Sequence, residues 1–364
     1  MRTVDLRSDT KTLPSPEMRV AIAEAELGDA DEGEDPTVNR LEAMAAERLG
    51  KEDAVLVTSG TQGNMVAILS QCDRGDSVIV GRNTHINLGE AGGLSALAGV
   101  TMHALENTAD GGLDPGEVRS AINHDSRDWP KTGMVSLENT QNLLGGLVLD
   151  KDDIQQVADV AHEHDLPFHI DGARLFNAAV SLKMPVGDLV ESADTVTFCL
   201  SKGLGAPVGS VLCGSRETIE EARRWVKYLG GSMRQAGIIA AAGVYALENM
   251  VERLAEDHDN AQQLAKGLAS IPGLEIDPER VQTNIFFCRV DQAHSAKLAA
   301  LIDAEGVKFY DLGPELGWRF VTGYGITAAD IDHALDVIDS VVHDYRRRSN
   351  GHSPQAGPTS SRRL

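Results

Sequence analysis

Three segments each place a chemically able side chain directly after an apolar run. VLVTSGTQGNMVAILSQC, from Val55, passes through Ser59, Gly60 and Thr61 into a helical pattern predicted to begin at about Gln62. Backbone N–H groups at a helix start hold an anion, and glycine lets the anion approach closely. The spacing fits neither a Walker loop nor G-x-G-x-x-G, so a tight strand–helix turn and a phosphate cup both stay open. PFHIDGARLFNA, from Pro167, ends its apolar run on Asp171, and Arg174 follows. A carboxylate at the end of a buried strand needs a cation. A structural ion pair and a functional carboxylate are both compatible with that. TVTFCLSKGLGAPVGSVLCG, from Thr195, presents Lys202 in a small, flexible stretch. Such a lysine can snorkel from a loop. Desolvated beside other cations, it has a depressed pKa and can form a Schiff base.

The combination is more specific than its parts. A phosphate cup, an aspartate and a lysine, each following a different strand of one sheet, are the groups that pyridoxal phosphate needs. The phosphate would lie on the helix start, the pyridinium nitrogen against Asp171, and the aldehyde on Lys202.

The elements that must position these groups are legible as alternation. AVLVT (from Ala54), SVIVG (from Ser77), GMVSLEN (from Gly133), PFHID, TVTFCLS and GSVLCG (from Gly209) read as buried strands. Helical patterns such as DDIQQVADVAHEHD, from Asp152, lie between them. Strands alternating with helices imply an α/β fold with a mostly parallel sheet covered on both faces. Ligands bind such sheets beyond the strand C-termini. After about Leu247 the texture changes to a charged helical stretch, NIFFCRV, WRFVT and a last helix from Ala328 to about Tyr345, which suits a smaller α+β domain. The expected partition is 1–247 for the N-terminal segment and large domain, 248–346 for the small domain, and 347–364 for a disordered Ser/Pro/Gly-rich tail.

Composition excludes several classes. The 364 residues carry 33 Lys+Arg against 55 Asp+Glu, a net charge of −22. A nucleic-acid binder needs a basic stripe, and the only basic cluster is Arg346, Arg347 and Arg348. Arginine outnumbers lysine and aspartate is abundant, a balance that resembles proteins of salt-loving microbes. Cys72, Cys199, Cys213 and Cys288 form no C-x-x-C pair, so they read as buried thiols in a reducing compartment, with no metal site. The opening MRTVDLRSDT has no apolar h-region, and GIIAAAGVYAL is too short to span a bilayer. A cytoplasmic enzyme is expected.

The blocks VDLRSDT, GEDPTVNRLE, TSGTQGN, THINLGEAGG, LENTQNLLGG, HIDGARLFNA, SKGLGAPVGS, GGSMRQAG and WRFVT run in order through nearly the whole chain. In that order the sequence resembles the low-specificity threonine aldolases, of the aspartate-aminotransferase-like class of pyridoxal 5'-phosphate enzymes. The resemblance implies the fold type I architecture, with a seven-stranded sheet in the large domain. It implies Lys202 as the Schiff-base lysine, Asp171 as partner of the ring nitrogen, and Gly60 and Thr61 as the phosphate turn. His85 resembles the histidine stacked on the ring. Arg234 resembles an arginine that reaches a neighbouring subunit's phosphate, which implies a homo-oligomer, dimer or tetramer. Ser8, Arg174 and Arg319 match groups that hold the substrate carboxylate and the cofactor. The family usually has a histidine where this chain has Gln141, near the substrate hydroxyl, a tyrosine where it has Glu32, and often a histidine where it has Gly323.

The resemblance implies cleavage of L-threonine, L-allo-threonine or a related β-hydroxy amino acid to glycine and an aldehyde. A glutamine can hydrogen-bond a hydroxyl but cannot take its proton, which leaves His85 as the base, directly or through water. Loss of the hydroxyl-facing histidine motivates an alternative, a β-eliminating lyase. A cofactor-binding protein with little catalysis is a third reading, opposed by Lys202, Asp171 and His85 together.

Overall fold

The computed structural model describes residues 3–350. Its first strand, β1 (Val4–Asp5), is followed by seven that make one sheet. These are β2 (Asp53–Val57), β3 (Ser77–Gly81), β4 (Thr101–Leu105), β5 (Thr132–Glu138), β6 (Phe168–Asp171), β7 (Thr195–Cys199) and β8 (Ser210–Gly214). Their order is β2-β8-β7-β6-β5-β3-β4, parallel throughout except that β8 runs antiparallel to both neighbours. The expected mostly parallel seven-stranded sheet is therefore present, and β4, absent from the sequence reading, is one of its two edges. TMHAL lacks the continuous apolar run of the central strands and is largely half-buried.

The central strands are apolar along their length because helices cover both faces. Every residue of β3, β5, β7 and β8 is buried. The main core lies on one face and gathers Phe168, Phe176 and Phe198. The rings of Phe176 and Phe198 meet edge-on at 5.2 Å. On the other face the helix Gly60–Leu69 lies close to the sheet. A Cβ at Gly63 would fall 2.5 Å from Thr197 Cγ2, so only glycine permits the approach.

The small domain has β9 (Leu274–Glu275), β10 (Ile285–Val290), β12 (Tyr310–Asp311) and β13 (Trp318–Val321) in an antiparallel sheet, while β11 (Val307–Lys308) pairs with β1. Val4 and Leu6 are buried in its core with Trp318 and Phe320. The N-terminal strand thus belongs by packing to the small domain, although chain order groups it with 1–247. Apolar burial outweighs chain proximity here, and the segment beyond β1 crosses to the large sheet. The last helix, Ala328–Asn350, continues through 347–350, and residues 351–364 of the expected tail lie outside the described residues. Among the described residues no helix is long and apolar enough to cross a membrane.

Candidate active site

Candidate residues of the large domain sit at or just after the C-terminal ends of β2, β3, β6 and β7 of one sheet. After β2, Ser59 caps the helix Gly60–Leu69, its hydroxyl accepting from Gln62 N at 3.1 Å. The N–H groups of Gly60 and Thr61 donate to no group among the described residues. A Cβ at Gly60 would lie 2.8 Å from Cys199 Sγ, so the turn needs glycine to sit against the end of β7. Two open N–H groups at a helix start fit a phosphate.

Asp171, at the end of β6, is buried. Its Oδ2 accepts from Asn64 Nδ2 at 2.9 Å and its Oδ1 from Ala173 N at 3.2 Å. Asn64 lies on the helix Gly60–Leu69 and is oriented by His169, whose Nε2 is 3.2 Å from Asn64 Oδ1. Burial drives the His169 pKa down to about 4, so its ring is neutral. With Thr195 Oγ1 2.9 Å from Nδ1, the proton is assigned to Nε2. The amide of Asn64 then turns both N–H bonds to carboxylates, the second reaching Glu90 Oε1 at 2.9 Å.

His85 begins the short helix His85–Leu88 after β3. Its Nδ1 is 3.1 Å from Glu90 Oε1. That hydrogen bond raises the His85 pKa, and burial raises that of Glu90. Glu138, the last residue of β5, accepts from the backbone N–H groups of His85 and Asn142. Burial first, and Asp171 second, push its pKa up to about 7. His85, Glu90 and Asp171 bring ligand-type atoms within 4.8 Å of one another. Asn64 already donates to both carboxylates, which suits carboxylates facing a protonated ring better than a metal.

Lys202 follows β7 and is half-buried. Among the described residues its ammonium makes no hydrogen bond or ion pair, although its charge is felt at Asp9 and His85. Arg174 is paired in bidentate fashion with Asp9, Nε to Oδ2 at 2.7 Å and Nη2 to Oδ1 at 2.6 Å. Burial would raise the Asp9 pKa, but Arg174 and Lys202 hold it below the ordinary carboxylate value. Arg319, on β13, donates from Nη1 to Arg7 O at 3.1 Å and from Nη2 to Asn142 Oδ1 at 2.9 Å. Its Nε is buried with no partner. Burial, then the Arg174 charge, push its pKa down to about 10.

Lys202, Asp171, His85, Gly60, Thr61 and Arg174 therefore lie at one end of the large sheet, and Arg319 joins them through Asn142 and the nearby Arg174 charge. Ser8 adjoins Asp9, and its hydroxyl caps the turn Asp9–Lys11, accepting from Thr10 N at 3.2 Å. Arg234 is exposed and pairs with Asp29 at 3.1 Å and Asp31 at 3.2 Å within its own chain. Gln141 is fully buried, with Nε2 donating to Asn83 O at 2.6 Å and Oε1 accepting from Leu144 N at 2.8 Å. It fastens its loop to the residues before His85. Glu32 is exposed. A Cβ at Gly323 would lie 3.0 Å from Thr12 Oγ1, so a histidine there needs local rearrangement.

Sequence reasoning missed Asp9, Asn64, Glu90, Glu138, Asn142 and His169. All six lie in blocks already quoted for other residues, VDLRSDT, TSGTQGN, THINLGEAGG, LENTQNLLGG and HIDGARLFNA. The usable signal was a polar residue inside an apolar run, most plainly Glu138 at the end of GMVSLE.

A family model described as beta-eliminating lyase matches residues 5–292. A probable low-specificity L-threonine aldolase of Arabidopsis thaliana is 42% identical over 352 residues, covering 94% of this chain and 98% of its own. The low specificity L-threonine aldolase of Escherichia coli K12 is 44% identical over 304 residues, covering 84% and 90%. Among solved structures, Leishmania major threonine aldolase superposes with a TM-score of 0.80 at 21% identity, covering 92% of this chain and 98% of that one. Sphingomonas wittichii serine palmitoyltransferase, with a TM-score of 0.74 at 16% identity over 95% and 89%, shares the fold. By the span and identity of these matches, the chain belongs to the beta-eliminating lyase family and, within it, to the threonine aldolases.

Proposed function

We propose that the chain cleaves L-threonine, L-allo-threonine or a related β-hydroxy amino acid to glycine and an aldehyde, with pyridoxal 5'-phosphate held at the end of the large sheet. The observation that carries the reading is Lys202. It is a half-buried ammonium without a partner among the described residues, at the same sheet end as Asp171 and the open N–H groups of Gly60 and Thr61.

When bound, the cofactor supplies a sink for the electron pair left by a bond broken at Cα. Lys202 would hold its aldehyde carbon, Gly60 and Thr61 its phosphate, and Asp171 its protonated ring nitrogen. His85 would cover the ring. Arg319 would take the substrate carboxylate, since Asp9 already occupies the Nε/Nη2 fork of Arg174 and Arg319 keeps an open Nε. With Nδ1 turned to Glu90, His85 presents Nε2 as the base for the β-hydroxyl proton. Glu90 then stabilises the imidazolium that forms. The proton leaves the hydroxyl, the Cα–Cβ bond breaks, the aldehyde departs, and Cα takes a proton to give glycine.

Measuring products tests the reaction. Glycine with aldehyde is expected from threonine, allo-threonine or phenylserine. Ammonia and a 2-oxo acid without glycine from all of them would replace the aldolase by the eliminating lyase.

The working form is proposed to be a homo-oligomer, dimer or tetramer, in which Arg234 serves a neighbouring phosphate. A monomeric mass by light scattering at full activity would overturn it. A cytoplasmic location and salt adaptation are part of the same reading, resting on composition, and activity that is highest at low salt would count against the second.

A further inference from the structure

LENTQNLLGG contributes two groups that neither grip the cofactor nor face the reacting bond in the reading above. Glu138 is buried at the end of β5, paired in register with Asp171 on β6. One carboxylate oxygen accepts from the backbone N–H of His85, and the other accepts from Asn142 N at 2.8 Å. The side chain of Asn142 in turn accepts from Arg319 Nη2 at 2.9 Å. A single line of hydrogen bonds therefore runs from the first residue of the His85–Leu88 helix, through the large sheet, to an arginine on the small domain. The far end of that arginine is fixed separately by Arg7 O at 3.1 Å. Between these two anchors the buried Nε of Arg319 has no partner. Two of the five N–H donors of the guanidinium are engaged and Nε is the nitrogen with none, so the group can still receive an anion, and the two anchors set its orientation.

We infer that Glu138 and Asn142 are positioning residues that hold Arg319 and His85 in one register, so that the carboxylate contact and the proton-accepting ring are placed together. Neither touches substrate. This rests on the assignment of Arg319 to the substrate carboxylate. A carboxylate is the group required at position 138, because it accepts two backbone N–H bonds at once. A glutamine offers one acceptor and sets its own N–H₂ against the other donor. Position 142 needs an acceptor on a short side chain, and asparagine at the end of a loop supplies it.

The test uses the reconstituted full-length enzyme and four variants, Asn142→Ala, Glu138→Gln, Arg319→Ala and the double Asn142→Ala/Arg319→Ala. Glycine affinity is read from the cofactor's visible spectrum, alongside kcat and KM for allo-threonine. Asn142→Ala is expected to weaken glycine binding and raise KM about tenfold, the loss of one hydrogen bond to a charged group. Its kcat should change by less than about threefold, and its cofactor content not at all. Arg319→Ala is expected to weaken glycine binding further, and the double variant to match Arg319→Ala alone, because Asn142 acts only through the arginine. Glu138→Gln should raise KM like Asn142→Ala and also lower kcat, because His85 loses its backbone anchor. Asn142 is half-buried, so its variant reports on function even if Glu138→Gln misfolds. If Arg319→Ala weakens glycine binding while Asn142→Ala does not, or if their losses add in the double variant, the positioning role is wrong and the arginine assignment stands. If Arg319→Ala leaves glycine binding unchanged, the arginine assignment fails and the positioning role with it.

Discussion

The carboxylates around His85 and the arginines around Asp9 meet at the same end of one sheet but are held from different parts of the fold, each side keeping one buried polar atom without a partner among the described residues, Glu90 Oε2 and Arg319 Nε. On the first side both N–H bonds of Asn64 are occupied, by Asp171 and Glu90, and Asn64 is itself held by a neutral His169. Every member of that group comes from the large domain, on strand ends or the segments that follow them. On the second side Arg174 is bound to Asp9, and Asp9 also accepts from Asn284 Nδ2 at 3.1 Å, across the domain boundary. Arg319 comes from the small domain and keeps a buried donor open. In the proposed function the difference would separate two tasks: the first group, held by one sheet, would grip the resident cofactor, and the second, assembled from both domains, would receive the substrate.

Removing Lys202 should break the cofactor side completely. Lys202→Ala is expected to lose essentially all turnover and the visible absorbance of the reconstituted protein. An unchanged absorption band in that variant would show that another group holds the cofactor. A smaller but still severe loss is expected at Asp171. Asp171→Asn removes the charge facing the ring nitrogen and should lower kcat by about 10²–10³, the scale of losing one preorganised electrostatic contact. A loss below tenfold would mean that Glu90 or Glu138 can stand in.

The arginine side should break in stability before it breaks in chemistry. Asp9→Ala leaves Arg174 buried without its counter-charge, which costs about 3–5 kcal/mol. Urea unfolding of the apo-protein measures it, and a change under about 1 kcal/mol would show that Asn284 or solvent replaces the carboxylate. The pH dependence has a definite sign. Folding lowers the Asp9 pKa, so its contribution is complete above the ordinary carboxylate value and disappears as pH falls through the lowered folded value. The Asp9→Ala protein should therefore lose less stability than the parent over that acid range.

Glu90→Gln sharpens the comparison from the other side. The His85 pKa is raised chiefly by its hydrogen bond to Glu90. Without that carboxylate the ring stays neutral to lower pH. If neutral His85 is the base, the acidic limb of kcat/KM should move to lower pH, with a lower plateau because the imidazolium has lost its partner. A limb that stays in place assigns the titration to another group, with Glu138 the nearest candidate.

Much of the first side was legible in the sequence and much of the second was not. Asp171, Lys202 and the Gly60–Thr61 turn each follow an apolar run, and the rule that ligands bind beyond strand C-termini is local enough to find them. His85 and Arg319 came from the resemblance, and the structure brings them to the same end of the sheet. Asp9 was invisible because its partner is Arg174, far along the chain, and nothing local marks the pair. Asn64 sits inside TQGNMVAIL, where a polar residue on a helix reads as surface until the packing of Gly63 on β7 turns that face inward. The packing of the N-terminal segment on the small-domain core was not legible for the same reason. Its burial depends on β11, which the sequence reading did not identify as a strand.

The smallest effect is expected at Gln141, although its departure from the family pattern drew attention first. Its amide ties Asn83 O to Leu144 N, and a Cβ at Gly111 would fall 2.9 Å from Gln141 Cβ, so the side chain is packed as well as bonded. Gln141→Ala leaves that carbonyl and N–H without their partner, at about 1–3 kcal/mol if they stay dry. The loss falls on the loop, and the bond that breaks is set elsewhere, by His85 and the cofactor groups. The ratio of glycine to ammonia should therefore be unchanged, with kcat/KM reduced by less than about tenfold. Gln141→His offers one donor and one acceptor, but on a shorter, rigid ring that does not place both where the amide does, so it should be no more stable than the parent. Any rate gain is bounded by the general-base factor of about 10²–10⁴ and falls well below it if His85 already accepts the proton. A gain near the upper bound would mean that His85 is not the base, and that this chain works without a dedicated one. A shift of product from glycine to ammonia in Gln141→Ala would instead make the glutamine, and not the cofactor side, the element that selects the reaction.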